Sequence, residues 1–251
     1  MKPFTSNNKF YTALSVIFLL LLWKFGSMTM DSELILPSPE STILAVGELF
    51  TKGNFLIIIG TTIIRGITGF AISFVLAMTL GIIAGVNTKF NAFLQPILVT
   101  IRSTPVISLI LLALIWFDVN KVPVFIALLT MFPFICTNVI EGIHNIDTDL
   151  VEMAGVYKVS HYRVIREIYI PGITPFIFSG ISSAMGFGWR AIIIGEVLSQ
   201  PKYGIGSLMQ EAQTYLLVDK VIAWTIIAIV LSYIFEKIIQ LIKKHVVVWK
   251  E

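Results

Sequence analysis

Residues Asn54–Gly85 read NFLIIIGTTIIRGITGFAISFVLAMTLGIIAG, thirty-two residues with one charge, Arg65. A helix crossing a bilayer needs about 20 mostly apolar residues at about 1.5 Å rise each. This stretch exceeds a perpendicular crossing, so it must tilt, protrude, or begin as a helix lying at the interface. Five further apolar segments flank it: Phe10–Ser27, Asn91–Phe117, Val122–Gly142, Pro175–Leu198 and Lys220–Leu241. The first reads as an uncleaved span rather than a signal peptide. No small-x-small cleavage pattern follows it, and Trp23–Lys24 suits an interfacial anchor. The expected fold is an all-α polytopic membrane protein with about six transmembrane helices. It forms one transmembrane domain over residues 1–251, because no linker, low-complexity run or internal repeat interrupts it.

Composition agrees. Of 251 residues, 56% are hydrophobic and only 13% charged. A soluble domain carries about a quarter charged residues, so an ordinary soluble globule, a disordered chain and a nucleic-acid-binding domain are excluded. One cysteine, Cys136, excludes a disulfide framework within the chain and a cysteine-based zinc site; no metal site is expected. With the N-terminus placed in the cytoplasm, ten Lys and Arg fall in inner segments, five in outer ones and three within spans. That asymmetry puts both termini inside. Trp116, Phe117 and Trp249 sit where aromatic belts are expected.

Between the spans, Leu36-Pro-Ser-Pro39 reads as a rigid extended corner. An amphipathic helix over about Glu40–Phe50 follows it, with Ile43, Val46, Leu49 and Phe50 on one side. Pro105 and Pro133 fall inside the third and fourth spans, as kinks of ordinary packing or as hinges of a moving pathway. Gly81 and Gly85 form a GxxxG step with Gly66 and Gly69 upstream, and Gly186 and Gly188 lie in the fifth span. Such residues let helix backbones approach, either within the chain or across a dimer. Ser199–Gly206, with a helix over about Ser207–Tyr215, is an outer connector or a docking surface.

The long inner loop, about Ile143–Ile170, carries the most information. Asp147 is a helix N-cap, after which Leu150, Val151, Ala154 and Tyr157 share a face. Ser160 is a second N-cap, Val164, Ile165, Ile168 and Tyr169 form an apolar side, and Pro171 stops the helix. Two short amphipathic helices hung between spans suit a knob docking into a cytoplasmic partner. A helix pair on the lipid surface is the alternative, but the four acids Asp147, Asp149, Glu152 and Glu167 disfavour it.

The segment EMAGVYKVSHYRVIREIYIP, Glu152–Pro171, resembles the EAA loop of bacterial ABC-importer permeases: Glu-Ala-Ala, three residues, Gly, nine residues, Ile-x-Leu-Pro. Glu152, Ala154, Ile168 and Pro171 match, and Ile170 stands for Leu. Met153 replaces an alanine. Lys158 stands where the pattern has its glycine, so either a lysine adopts the left-handed turn, at about 1 kcal/mol, or the turn differs. Leu36-Pro-Ser-Pro39, Arg102-Ser-Thr-Pro105, Gly188-Trp-Arg and Glu196-Val-Leu are similar in particular to the nitrate, sulfonate and taurine branch. That branch also includes carriers of vitamin precursors and pyrimidines.

The resemblance implies a type I importer fold. Two permease subunits, identical or different, enclose a pathway, an ATPase dimer receives the loops, and an extracytoplasmic binding protein delivers substrate. It implies ATPase-coupling roles for Glu152, Met153, Ala154, Gly155, Tyr157, Lys158, Ser160 and Pro171. Glu152 either pairs with a basic residue of the ATPase or caps the loop helix. No GxxxxGK[ST] loop occurs, so ATP is expected on the partner and no cofactor or catalytic residue here.

Candidates for the pathway or gate are Arg65, Arg102, Pro105, Trp189, Arg190 and Glu196. Charges within spans are expensive and face protein or water. They form interhelical salt bridges or snorkel, or they line the pathway, where three positives against one negative suit an anion. Two rivals fit worse. An intramembrane protease lacks a histidine within any span to pair with Ser182 or Ser183. A stand-alone transporter or channel would carry repeats or paired acids.

Overall fold

A computed structural model describes residues 8–30, 32–51 and 53–246. Trp249 and the terminal lysines Lys2 and Lys250 lie outside the described residues. Every regular element among those described is helical: α1 (Asn8–Met30), α2 (Pro39–Thr51), α3 (Phe55–Val86), α4 (Thr88–Ser103), α5 (Val106–Trp116), α6 (Val122–His144), α7 (Thr148–Val156), α8 (His161–Val164), a π-turn over Ile165–Tyr169, α9 (Ile170–Ser199), α10 (Ile205–Thr214) and α11 (Val218–Val246). Five helices are long and apolar enough to cross a membrane, and α4 with α5 make a sixth candidate bent by 96°. The chain divides into two compact units, Met1–Ile57 with Leu208–Ala228, and Ile58–Ser207 with Ile229–Glu251.

In the first unit the proline corner is pinned. Trp23 Nε1 donates to the Pro37 carbonyl at 3.0 Å, and Lys24 pairs with Glu40 at 2.9 Å. Lys24, through this bond and its charge, holds the exposed Glu40 carboxyl below the usual range. Ser38 caps α2, its hydroxyl accepting from Ser41 N at 3.1 Å, and Pro39 opens the helix where no N–H is needed. The buried stripe of α2 is Thr42, Ala45 and Leu49. The expected apolar face is therefore corrected: Leu49 belongs to it, but Ile43 and Phe50 are exposed. Thr42 and Ala45, with small side chains, let the helix pack closely on that side, and Ile43, Leu44 and Phe50 face outward.

The second unit is built on α6, buried over more of its length than any other span. Small residues of α3 and α9 flank it. A Cβ on Gly69 would meet Ala127 Cβ at 2.5 Å, one on Gly81 would meet Val139 at 3.0 Å, and one on Gly85 would meet Ile143 Cδ1 at 2.5 Å. These contacts ascend both helices together, so α3 and α6 run parallel. On α9, Gly180 meets Asn138, Gly188 meets Met131 and Gly195 meets Pro123, in descending order. Hence α9 runs antiparallel to α6. Ser73 Oγ donates to the carbonyls of Gly69 at 2.7 Å and Leu128 at 3.1 Å, fastening α3 to α6. The GxxxG step is thus used inside the chain, and Gly81 and Gly85 are not free for a dimer face; Gly186 has open space beside it.

Two prolines act differently from expectation. Pro105 does not kink a continuous third span; it separates α4 from α5, with Thr104 extended. The residue before a proline avoids the helical region, and Thr104 instead closes α4 by donating both its N–H and its hydroxyl to the Thr100 carbonyl, at 3.0 and 2.8 Å. Pro171 does not stop the second loop helix, because His161–Ser199 is continuous. The π-turn explains this. Ile170 N–H bonds to the carbonyl of Ile165, one residue further back than in an α-helix, which widens the backbone just ahead of the ring. Pro171, next in the chain, has no N–H to offer, and the widened turn gives its ring room within the continuous helix. By contrast Pro133 lies inside α6, buried, as expected.

Candidate functional site

The α6–α9 connection begins where Asn145 closes α6, its Nδ2 donating to the Glu141 carbonyl at 2.8 Å. Asp147 caps α7, its Oδ1 accepting from Asp149 N at 2.9 Å. Nine residues later the helix ends in two crossed bonds: Val159 N to the Ala154 carbonyl at 2.9 Å, and Lys158 N to the Gly155 carbonyl at 3.0 Å. Lys158 stands between them at φ 54°. This is the Schellman turn that glycine ordinarily supplies, so the lysine adopts the left-handed conformation. Ser160 holds the N-cap position of α8 but makes no side-chain capping bond.

Around this turn the chain covers little of its own apolar surface. Ala154 is buried and Val151 half-buried, whereas Met153, Val156, Tyr157, Tyr162 and Ile165 are exposed, Val156 and Tyr157 by more than three quarters. Glu152, Gly155, Lys158 and Ser160 are exposed too, and Pro171 is half-buried. Tyr157 therefore stands off the face expected to carry it, because the α7 helix ends before it, and Leu150 and Ile165, also expected on apolar faces, are exposed as well. Behind α7, an open cleft of about 350 Å³ is lined by Ile146, Asp147, Leu150, Glu167, Ile168 and Pro171 among others.

The ionisable residues of the spans separate into two kinds. Glu196, fully buried near the end of α9, accepts from Arg65 Nη1 at 2.6 Å, Thr62 Oγ1 at 2.9 Å and Gly206 N at 3.0 Å. Arg65 also donates to the Tyr203 carbonyl at 2.7 Å and to Asn120 Oδ1 at 3.2 Å, and Thr62 accepts from Ile205 N at 3.0 Å. The network joins α3, the α5–α6 connection, α9 and the Ser199–Gly206 segment. That segment lies folded on the carboxylate: a Cβ on Gly204 would sit 2.7 Å from Glu196 Cδ, and one on Gly206 would strike the Ile193 carbonyl. Asp118 arranges Asn120, accepting its N–H at 2.9 Å and its side-chain amide at 3.1 Å, bonds that hold the Asp118 carboxyl below the usual range.

Arg102 and Arg190 are the other kind. Both are exposed, and neither has a hydrogen bond or ion pair among the described residues. Arg102 lies in the last turn of α4, where the helix dipole offsets about 0.3–1 kcal/mol. A cation at the centre of a span costs about 2.5–3.5 kcal/mol by insertion scales, so the dipole does not balance it. Arg190 lies well inside α9 and has no such help. Beside it Trp189 is buried, 5.1 Å ring to ring from Phe235.

Of the expected gate residues, then, the structure brings Arg65 and Glu196 together, sets Arg102 and Pro105 at the break of the third span, and leaves Arg190 alone. Thr62, Asn120 and Gly206 were not anticipated. Thr62 lies three residues, one helical turn, before Arg65, the one local hint of a shared partner.

Residues 77–248 match the family of binding-protein-dependent transport system inner membrane components. The chain is similar to a putative aliphatic sulfonates transport permease protein of Bacillus subtilis, 26% identical over 235 residues, 92% of this chain and 84% of the relative. To the putative aliphatic sulfonates transport permease protein of Escherichia coli it is 31% identical over 220 residues, 87% of this chain and 83% of the relative. A bicarbonate transport system permease protein of Synechococcus elongatus is 29% identical over 174 residues, 62% of this chain and 63% of the relative.

Proposed function

Because the chain belongs to the binding-protein-dependent transport system inner membrane component family, the permeases of ABC transporters with a type I fold, we propose that it is the pathway-forming subunit of an importer for a small anion. Aliphatic sulfonates lead the substrate class, with nitrate, bicarbonate, taurine and vitamin- or pyrimidine-like precursors behind. In this reading the protein lies in a bacterial inner membrane with both termini in the cytoplasm. It pairs with a second permease subunit, receives solute from an extracytoplasmic binding protein, and binds no ATP or other cofactor itself. Two ATPase subunits supply the drive.

The observation that carries the reading is the α7–α8 connection. It is a short helix and a rigid turn, capped at both ends, with Met153, Val156 and Tyr157 uncovered by the rest of the chain. Exposed apolar patches mark interaction surfaces, and two acids in the helix's first turns disfavour a bed of anionic lipid. Motion of an ATPase groove would pull on Glu152, Ala154 and the Lys158 turn. Since the second loop helix is continuous with α9, that pull would reach the span carrying Trp189, Arg190 and Glu196 without a flexible joint. The break at Pro105 is then the hinge in the neighbouring span.

Co-expression with the ATPase tests it. Wild-type permease retains the ATPase through affinity purification, and Glu152→Arg loses most of it while leaving the yield of permease unchanged. Retention at the wild-type level would remove the loop from the contact.

A further inference from the structure

We propose that Arg102 and Arg190 are the anion-recognising groups of the pathway, two guanidiniums that take the oxyanion of the solute, a sulfonate or a carboxylate-like group, as it crosses. The proposal rests on the importer reading and adds to it the residues that meet the substrate. The fold shows how it treats a span arginine that is purely structural. Arg65 is given a buried carboxylate, a carbonyl and an amide oxygen. Glu196, fully buried, is already engaged by Arg65, Thr62 and Gly206. Arg102 and Arg190 are left exposed and without such partners. On α11, Glu236 flanks a small cavity with Ser182 and Gly186, toward the α8 end from Arg190, and its carboxylate accepts from Gln240 Nε2 at 3.0 Å. Arg102 also lies three residues from Pro105, which starts α5 with no side-chain cap. The negative end of α4 and the positive end of α5 meet at this break, so the guanidinium itself, not the helix ends, is the charge an anion would meet.

Guanidinium binds planar and tetrahedral oxyanions in a two-point fork. A lipid phosphate or a carboxylate of the second permease offers the same chemistry, and the test separates them. In a Cys136→Ser chain assembled with its ATPase, Arg102→Cys and Arg190→Cys are labelled in turn. The two reagents are thiosulfonates of similar size, one ending in sulfonate and one in trimethylammonium, with rates normalised to a free thiol. We expect labelling from water at both positions and a preference of about tenfold for the anionic reagent, as a focused field gives. That preference should disappear when the remaining arginine is changed to glutamine. Should a cysteine variant not assemble, Ser103→Cys reports on Arg102 with both arginines in place, and Arg102→Gln should abolish its preference.

No labelling by either reagent would put the residues against lipid and overturn the proposal. So would equal rates, rates that follow the phosphatidylglycerol content of the vesicles, or recovery of an assembly-defective Arg190→Glu by Glu236→Arg. An intact permease–ATPase complex without anion preference sinks this proposal alone. Loss of the complex from the otherwise wild-type chain sinks the importer reading beneath it.

Discussion

Lys158 and Glu196 are the residues on which local energetics turn. The sequence has seventeen glycines, yet among the described residues the left-handed positions fall to Lys158, Gln200 and Leu216, and no glycine has positive φ. The glycines of α3 and α9 are used instead where helices touch. Lys158→Gly should therefore stabilise the loop by about 1 kcal/mol, read as a rise in thermal midpoint in detergent; a fall would contradict the left-handed turn. Glu196→Ala strands Arg65 as an unpaired buried cation and should cost about 3–5 kcal/mol. Arg65→Met with Glu196→Leu should recover most of that loss, and failure to recover any would mean the pair does more than neutralise itself. The lysine's strain was legible from its place in the Glu152–Pro171 pattern. The Arg65–Glu196 pair was not: 131 residues separate them, and no local periodicity joins partners on different spans.

At the scale of elements, helix existence and most boundaries follow from hydropathy and caps, as with Asp147 opening α7; α2 begins one residue earlier than expected, at Pro39 of the corner. What the prolines do is less legible. A ring removes one N–H in every case, but the outcome depends on what the backbone does around it. A π-turn lets Pro171 stay within a continuous helix, Pro133 is buried inside α6, and Thr104 closes α4 so that Pro105 separates two helices. The orientation of α2 escaped for a related reason: the large Ile43, Leu44 and Phe50 lie outside and the small Thr42 and Ala45 inside, so hydropathy alone does not mark the packed side. Two predictions belong here. Asp147→Ala removes the α7 cap and should cost about 1 kcal/mol, seen as faster hydrogen exchange over Thr148–Val156 with the spans unchanged. Gly180→Leu places a branched side chain where even a Cβ would meet Asn138 Cβ at 2.9 Å. It should lower stability by about 1–3 kcal/mol through forced separation of α6 and α9; an unaltered midpoint would contradict that close packing.

For the whole molecule, the proposed function divides the labour between spans that would conduct and a connection between α6 and α9 that another protein would grip. The continuity of α8 into α9 would make such a grip mechanical. The most direct test is a photocrosslinker placed at Met153, on the exposed side of α7, with the same group at Leu56, exposed at the first turn of α3. In membranes containing the co-expressed ATPase, the account predicts that Met153 captures the ATPase subunit, with a yield that changes when ATP binds, and that Leu56 does not. Capture of lipid alone at Met153, or capture of the ATPase at Leu56, would contradict it.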